Sequence, residues 1–232
     1  MANVDRAQVA DLPVFAGLGP ADLGEVLREA RVLRFEKGAT VFAQDEEAHS
    51  FFVLLHGHLQ AAKVTPAGHQ IVVRYVSPGE FFGIAQAIGR NTYPATATAV
   101  AESIALAWPS AAWSRLSVKF PSLAGNALQT VGTRLQEAHS RVIEMSTEQV
   151  EQRVARALLR LANQAGKKVE SGVQIAFPIT RQDIAEMTGT TLHTVSRILS
   201  SWEDQGLVEG GRQRIVIRDP HKLVVLAEKP SA

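Results

Sequence analysis

Apolar positions along this chain change their period twice. From Arg31 to Trp108 they come in short β-prone runs: Val32 to Phe35, Thr40 to Phe42, Phe51 to Leu55, Leu59 to Val64, Ile71 to Val76, Thr96 to Ala101 and Ile104 to Trp108. Turn signals at Lys37-Gly38, His56-Gly57, Pro66-Ala67-Gly68 and Ser77-Pro78-Gly79 separate them. Many short strands punctuated by glycine predict a closed or double-sheet β structure, such as a jelly-roll barrel. Ahead of it, Leu12 to Ala30 has Pro20 at a first helical position and Leu23, Val26 and Leu27 at helical spacing, which predicts a helical segment covering one end of the barrel. Between Gly79 and Pro94 the strand pattern breaks, and a ligand-contacting segment of the barrel is expected there.

After a short helix over Pro109 to Leu116, the period becomes helical. Ala124, Leu128, Val131, Leu135, Ala138, Val142 and Met145 follow at gaps of 4, 3, 4, 3, 4, 3, a heptad seam opened by Pro121. A stripe repeating every 3.5 residues keeps facing a partner helix, so these seven residues are the expected dimer axis. An amphipathic helix packed on its own domain shows the same spacing and stays open as the alternative. The chain therefore divides into a β-rich domain at 1–118, a dimerisation helix at 119–147 and a mostly helical domain at 148–232.

In that last domain, Val150 to Ala165 predicts a helix, Gly166 to Ser171 a polar turn and Val173 to Phe177 a strand. Thr180 and Asp183 form a capping-box pattern that starts a helix near Arg181, buries Ile184, Ala185 and Met187, and stops at Gly189. Thr191 starts a second helix with Val195, Ile198, Leu199 and Trp202 on one face and His193, Thr194, Ser196, Arg197 and Ser200 on the other. Two helices joined by a tight glycine turn, the second with a hydrogen-bonding outer face, predict a helix-turn-helix. Leu207 to Glu209, Gly210-Gly211 and Gln213 to Ile217 add a hairpin wing with Arg212 and Arg214 near it. The chemistry suits a duplex. Arg197 matches the O6 and N7 acceptors of guanine, and Ser196 and His193 can add base-edge hydrogen bonds. Thr180, Arg181, Gln182, Thr191 and Thr194, near the helix starts, suit phosphates and would fix register without reading sequence. A helical hairpin whose polar face meets only water is the plain alternative.

Composition adds mainly exclusions. The 232 residues contain no cysteine, which removes disulfides, zinc-thiolate sites and iron–sulfur clusters held by cysteine. No apolar run reaches the ~20 residues of a bilayer span and Met1 to Asp11 has no signal pattern, so a cytoplasmic protein away from membranes is expected. Net charge is +1; residues 1–149 carry 12 Lys+Arg against 14 Asp+Glu, and 150–232 carry 12 against 9. That asymmetry is compatible with DNA binding by the second half without announcing it.

At this point the motifs become specific. Ile179-Thr-Arg-Gln-Asp-Ile, Thr194-Val-Ser-Arg-Ile-Leu and Asp204-Gln-Gly-Leu-Val resemble the DNA-binding domain of the CRP/FNR transcription regulators. Phe15-Ala-Gly-Leu, Phe51-Phe-Val-Leu-Leu-His-Gly and Ser77-Pro-Gly-Glu-Phe-Phe-Gly resemble the same family's cyclic-nucleotide-binding-like barrel. The resemblance runs from about Leu12 to Leu223. It implies an α+β chain with barrel, spine and winged helix, a homodimer on a near-palindromic promoter site of double-stranded DNA, and RNA polymerase as a partner. It also implies that Arg197 reads guanine while Thr180, Arg181 and Gln182 touch backbone.

Three departures narrow the resemblance. Where cyclic-AMP receptors of the family carry an Arg-Ser pair for the cyclic phosphate, Thr92, Tyr93 and Pro94 stand here, so cyclic AMP is not expected. The FNR cluster needs cysteines that this chain lacks. His193 stands where the family's recognition helix usually carries Glu, which puts its cytosine contact in doubt. Tyr93-Pro-Ala-Thr-Ala-Thr-Ala and His193-Thr-Val-Ser-Arg are most similar to the nitric-oxide-responsive NnrR/DNR branch, which implies control of denitrification genes. Its link to haem leaves the cofactor open, with His49, His56, His58 and His69 as candidate ligands. Phe81, Phe82 and Tyr93 either line an apolar effector pocket with His56 and His58 or belong to the core.

Two rivals remain. A ligand-free regulator controlled by its abundance needs only a packed barrel. A barrel enzyme rests on His56-Gly-His58, which resembles the metal-binding His-x-His of cupins; the Glu that should follow is missing at Ala61 and Ala62, so no catalytic or metal-ligating set is assigned and the chain is not expected to be an enzyme.

Overall fold

In the computed structural model, which describes residues 9–229, the β-prone runs become β1 Arg31–Phe35, β2 Thr40–Phe42, β3 Ser50–His56, β4 Leu59–Val64, β5 Gln70–Val76, β6 Phe81–Phe82, β7 Thr96–Ala99 and β8 Ser103–Pro109. They form two four-stranded sheets, ordered β1-β8-β3-β6 and β2-β7-β4-β5, the double-sheet architecture the pattern called for. β3 runs against β8 with Phe52 opposite Ala107 and Val53 opposite Leu106. Alternation then splits its side chains. Phe52, Leu54, Phe82, Ala105 and Ala107 belong to one apolar cluster together with Phe42 and Leu59 of neighbouring strands. Phe51, Val53, Phe81, Leu106 and Trp108 belong to a second, closed by Phe15, Leu23, Val26, Leu116 and Leu123.

The second cluster explains why β3 reads as a continuous apolar run: a strand covered on both faces has no solvent side to alternate toward. The cover comes from helix α1 (Pro20–Arg28), helix α2 (Ala112–Lys119) and the start of α3 (Pro121–Thr147). The indole of Trp108, 1% exposed, donates to the Val26 carbonyl at 2.8 Å, so its one polar atom is satisfied.

The 27-residue α3 extends the expected seam by a few residues at each end. Its two ends belong to different compact units: the chain through Val64 with Arg74–Gln136 forms one, and Thr65–Val73 with Glu137 onward forms the other. The helix is therefore shared rather than a domain of its own. Asn126 Nδ2 donates to the carbonyls of Val14 at 3.1 Å and Ala16 at 2.9 Å, tying the first part of the helix to the barrel unit. Farther on, Glu144 accepts from Arg160 at 2.6 Å and Glu148 from Arg156 at 2.8 Å.

Those arginines lie on α4 (Val150–Ala165), the centre of the second unit, whose Val154, Ala155, Ala157 and Leu158 are fully buried. Around it stand β9 (Gly166–Val169), β10 (Gly172–Ile175), α5 (Arg181–Thr188), α6 (Leu192–Asp204), β11 (Val208–Gly211), β12 (Arg214–Ile217) and α7 (Pro220–Glu228). The sheet order is β11-β12-β10-β9.

Three expectations need correction. Gly166 to Ser171 is not simply a turn: Gly166–Val169 pairs antiparallel with β10, its lysines pointing outward on an edge strand, where they oppose pairing with another chain. The break after Gly79 contains β6, which pairs with β3. The helix α7 was not foreseen, although Asp219, whose carboxylate accepts from the Lys222 amide at 3.0 Å, and Pro220 at its first position are ordinary start signals.

Candidate nucleic-acid interface

The helix-turn-helix is set by its caps. Thr180 Oγ1 accepts from the Asp183 amide at 3.0 Å and the Asp183 carboxylate accepts from the Thr180 amide at 2.7 Å, the reciprocal box expected at the start of α5. The turn passes through Gly189 at φ +62°, a left-handed conformation that glycine adopts without steric cost. Thr191 then caps α6 by accepting from the Thr194 amide at 3.2 Å, and the two threonine hydroxyls lie 2.9 Å apart.

Packing fixes which face of α6 points outward. Val195, Leu199 and Trp202 are buried, and the Trp202 indole donates to Glu151 at 3.0 Å. His193, Arg197 and Ser200 are consequently exposed, with Thr194 and Ser196 half-buried beside them. Arg197 has no hydrogen-bond or ion-pair partner among the described residues. Gln182 is exposed on α5 with its amide nitrogen donating to Glu186 at 2.8 Å, while Thr180 and Arg181 are half-buried. Arg181 is not free: Nη2 meets Glu203 Oε1 at 3.0 Å and Nη1 reaches the Ser196 carbonyl at 3.5 Å. The Glu203 partner was not evident from the sequence, because 22 residues separate the pair and no local spacing signals it.

The wing forms as expected, with Gly211 opposite Arg214 and the exposed Arg212 at its tip. Arg214 bridges Glu209 at 3.3 Å and Gln174 at 3.1 Å. A groove of about 260 Å³ runs between wing and helices, with an apolar floor of Ile179, Leu199, Val208 and Ile215 and a rim that includes Arg181, Glu203 and Arg212.

This arrangement coincides with a Crp-like helix-turn-helix domain matched at residues 152–226, behind a cyclic nucleotide-binding domain matched at residues 32–119. The chain belongs to the CRP/FNR family of transcription regulators. Its similarity to the transcriptional activator FnrA of Stutzerimonas stutzeri is 25% identity, covering 93% of this chain and 88% of that protein. The nitrogen fixation regulation protein FixK of Bradyrhizobium diazoefficiens is 27% identical over 92% of this chain and 89% of its own. The structure of FixK2 from Bradyrhizobium japonicum, 23% identical, superposes with a TM-score of 0.75 over 88% of this chain and 98% of that one, showing the shared fold. A CRP/FNR regulator binds DNA as a dimer; it is not an enzyme.

In this regulator α3 carries two apolar stripes. Leu123 and Ala127 are buried in the barrel's core and Val131 packs half-buried against it. Leu128, Leu135 and Val142 are 72%, 58% and 63% exposed, and Met145 and Ala138 are exposed in line with them. Ala124 is half-buried. The helix thus packs on its own barrel through one stripe and leaves most of the heptad seam unpartnered.

The candidate effector residues are not brought together as a pocket lining. Phe81 and Phe82 are 0% and 3% exposed on a paired strand. Tyr93, 3% exposed, stacks on Phe42 with ring centroids 3.8 Å apart. Its hydroxyl donates to the Ser50 carbonyl at 2.7 Å and accepts from the Ser50 amide at 3.2 Å. Burial raises the phenol's pKa above its ordinary value, against the Ser50 hydrogen bond. All three aromatics are core: alternation on β6 sends Phe81 into one apolar cluster and Phe82 into the other, and Tyr93 joins the latter from the segment before β7. His56 is exposed at the end of β3 and His58 half-buried next to it. Burial, helped by the neighbouring His56, lowers the pKa of His58. Beside the Gly79-Glu80 turn, the Arg74 guanidinium is ion-paired with Glu80. No described helix is long and apolar enough to cross a membrane.

Proposed function

We propose that this regulator controls nitrogen-oxide and denitrification genes, binding a near-palindromic promoter site as a homodimer in response to nitric oxide or a related nitrogen oxide. The carrying observation is that Tyr93, standing where a cyclic phosphate would need a cation, stacks on Phe42 and spends its hydroxyl on the Ser50 backbone. A cyclic phosphate requires a cation to neutralise it, and Arg74, beside the Gly79-Glu80 turn, is already held by Glu80. A small neutral signal makes no such demand and is matched to an apolar interior. The stretch Tyr93 to Ala99 and the recognition sequence His193 to Arg197 support the same branch.

On DNA, Arg197 reads guanine, His193 and Ser196 add base-edge contacts, and Thr180, Arg181, Gln182, Thr191 and Thr194 hold phosphates. Across the dimer, the exposed stripe of α3 pairs with its twin, setting the two recognition helices about 34 Å apart, one duplex turn. RNA polymerase is the partner of the bound dimer. The signal acts only if it prefers the DNA-competent arrangement, since equal affinity for both states shifts nothing.

Haem does not fit the residues as they stand. His49 lies 3.8 Å from Glu47 with both side chains largely exposed, His56 and His69 are exposed, and the rings of Phe42, Phe52, Phe82 and Tyr93 stack on one another instead of framing a slot. The test is a binding profile under denitrifying and aerobic growth, with operator affinity of the anaerobic protein measured with and without nitric oxide. Enrichment at denitrification promoters and an affinity that follows nitric oxide are expected. Affinity indifferent to nitric oxide, in the presence or absence of haem, would replace this reading by the abundance-controlled regulator that a closed aromatic core also supports.

A further inference from the structure

We infer that Glu203 is a positioning residue for DNA binding: its carboxylate orients Arg181 toward the phosphate backbone, and Gly210 is glycine because the wing must close over that carboxylate. The inference deepens the assignment of Arg181 to the backbone and rests on it.

Glu203 lies near the end of α6, three residues before the glycine that leads into the wing, and it is the meeting point of three elements. From α5, Arg181 Nη2 reaches its Oε1 at 3.0 Å, while Nη1 approaches the Ser196 carbonyl in the middle of α6 at 3.5 Å. From β11, the backbone of Gly210 comes so close that a Cβ there would stand 2.1 Å from the same Oε1 and 3.7 Å from Arg181 Nη2. The side chains of Arg181 and Glu203 are 37% and 31% exposed, open enough to meet a ligand and covered enough to be held. A guanidinium has five N–H donors in a rigid fork. Two of them point at Glu203 and Ser196, leaving others for a phosphate. An arginine fastened on one side does not have to lose rotamer freedom when DNA arrives, which lowers the cost of each contact it makes.

A carboxylate on a DNA-facing surface is otherwise a liability, since it repels phosphates. If Glu203 were only a bystander, its removal would strengthen binding to every duplex. The positioning role gives the opposite sign.

The experiment measures binding of the full-length protein to its operator and to a random duplex across a salt series. The variants are Arg181→Ala, Glu203→Ala, the double variant and Gly210→Ala. Arg181→Ala tests the underlying assignment by itself and should weaken both duplexes alike. Glu203→Ala should also weaken both alike, on the order of five- to ten-fold, and make the salt dependence shallower by about one phosphate contact. The double variant should be no worse than Arg181→Ala. Gly210→Ala is the control that leaves Glu203 in place. Its backbone is not left-handed, and the new methyl meets only the far end of a flexible side chain, so thermal stability should hold while the displaced carboxylate reproduces the Glu203→Ala binding defect. Stronger binding by Glu203→Ala, or a Glu203→Ala loss that persists undiminished without Arg181, overturns the inference. If Arg181→Ala leaves binding unchanged, the backbone assignment itself falls and the inference with it, a result distinct from either of those.

Discussion

In the barrel, the Tyr93 hydroxyl and the Trp108 indole are both taken up by backbone atoms of the same unit, and the aromatic rings stack on each other. On the outer faces of α3 and α6 the opposite holds: Leu128 and Leu135 are exposed, and Arg197 has no partner among the described residues. Buried polar groups without partners cost free energy, so rings whose polar atoms are met by the unit's own backbone are specified by its own packing. Faces left open point to what the chain meets outside itself. The open apolar face asks for a protein surface and the open polar face for a nucleic acid.

The sharpest way to break this contrast is at the seam. Replacing Leu128 and Leu135 together by Glu should prevent dimer formation, because each leucine buried on pairing contributes about 1.5–3 kcal/mol and each protomer loses two. Sedimentation should find monomers with the barrel still folded and operator binding lost; a stable dimer would show that the stripe is not the axis. Next in size is Trp108→Ala, which deletes the largest fully buried side chain of the barrel and leaves a cavity. A loss of about 3–5 kcal/mol in chemical denaturation is expected. A change below about 1 kcal/mol would mean that the barrel is far less closed than its contacts indicate.

On the open side, Arg197→Ala should leave stability within about 0.5 kcal/mol of the wild type, since the side chain supports nothing in the fold. Its effect belongs to recognition: about 1–3 kcal/mol of operator preference should vanish while salt-sensitive binding to random DNA persists. Arg181→Ala, by contrast, should weaken all duplexes equally. Equal losses on operator and random DNA for both variants would contradict the division between reading and holding.

The same contrast governs what could be read in advance. The helix-turn-helix was legible because its signals are local: a Thr180-to-Asp183 cap, a glycine turn at Gly189, a second cap at Thr191. The exposed apolar stripe of α3 was legible because a 3.5-residue period survives whether or not a partner is known. Long-range contacts were hidden: no spacing announces that Arg181 meets Glu203, or that Tyr93 turns inward against Phe42. The two-residue strand Phe81–Phe82 is too short to show a period, and the lysines of Gly166–Val169 disguise an edge strand as a loop.

The smallest expected effect sits at the barrel's rim, where His58 is half-buried beside His56. Burial penalises the imidazolium and the neighbouring imidazole adds repulsion, so the folded state holds the pKa of His58 below its ordinary value of 6.5. The unfolded chain then binds more protons than the folded one as the medium turns acid. His58 thus contributes stability that is fully present above about pH 6.5 and is lost as pH falls through the lower folded pKa. His58→Gln removes the titration. Its stability relative to wild type should therefore improve on going from about pH 7.5 to about pH 5. Groups not coupled to His58 titrate alike in both proteins and cancel in that difference, while release of His56 from the repulsion acts in the same direction. A wild-type advantage that stays constant or grows toward acid would show that His58 is not held neutral by the fold, and that this end of the barrel is as open as the recognition helix.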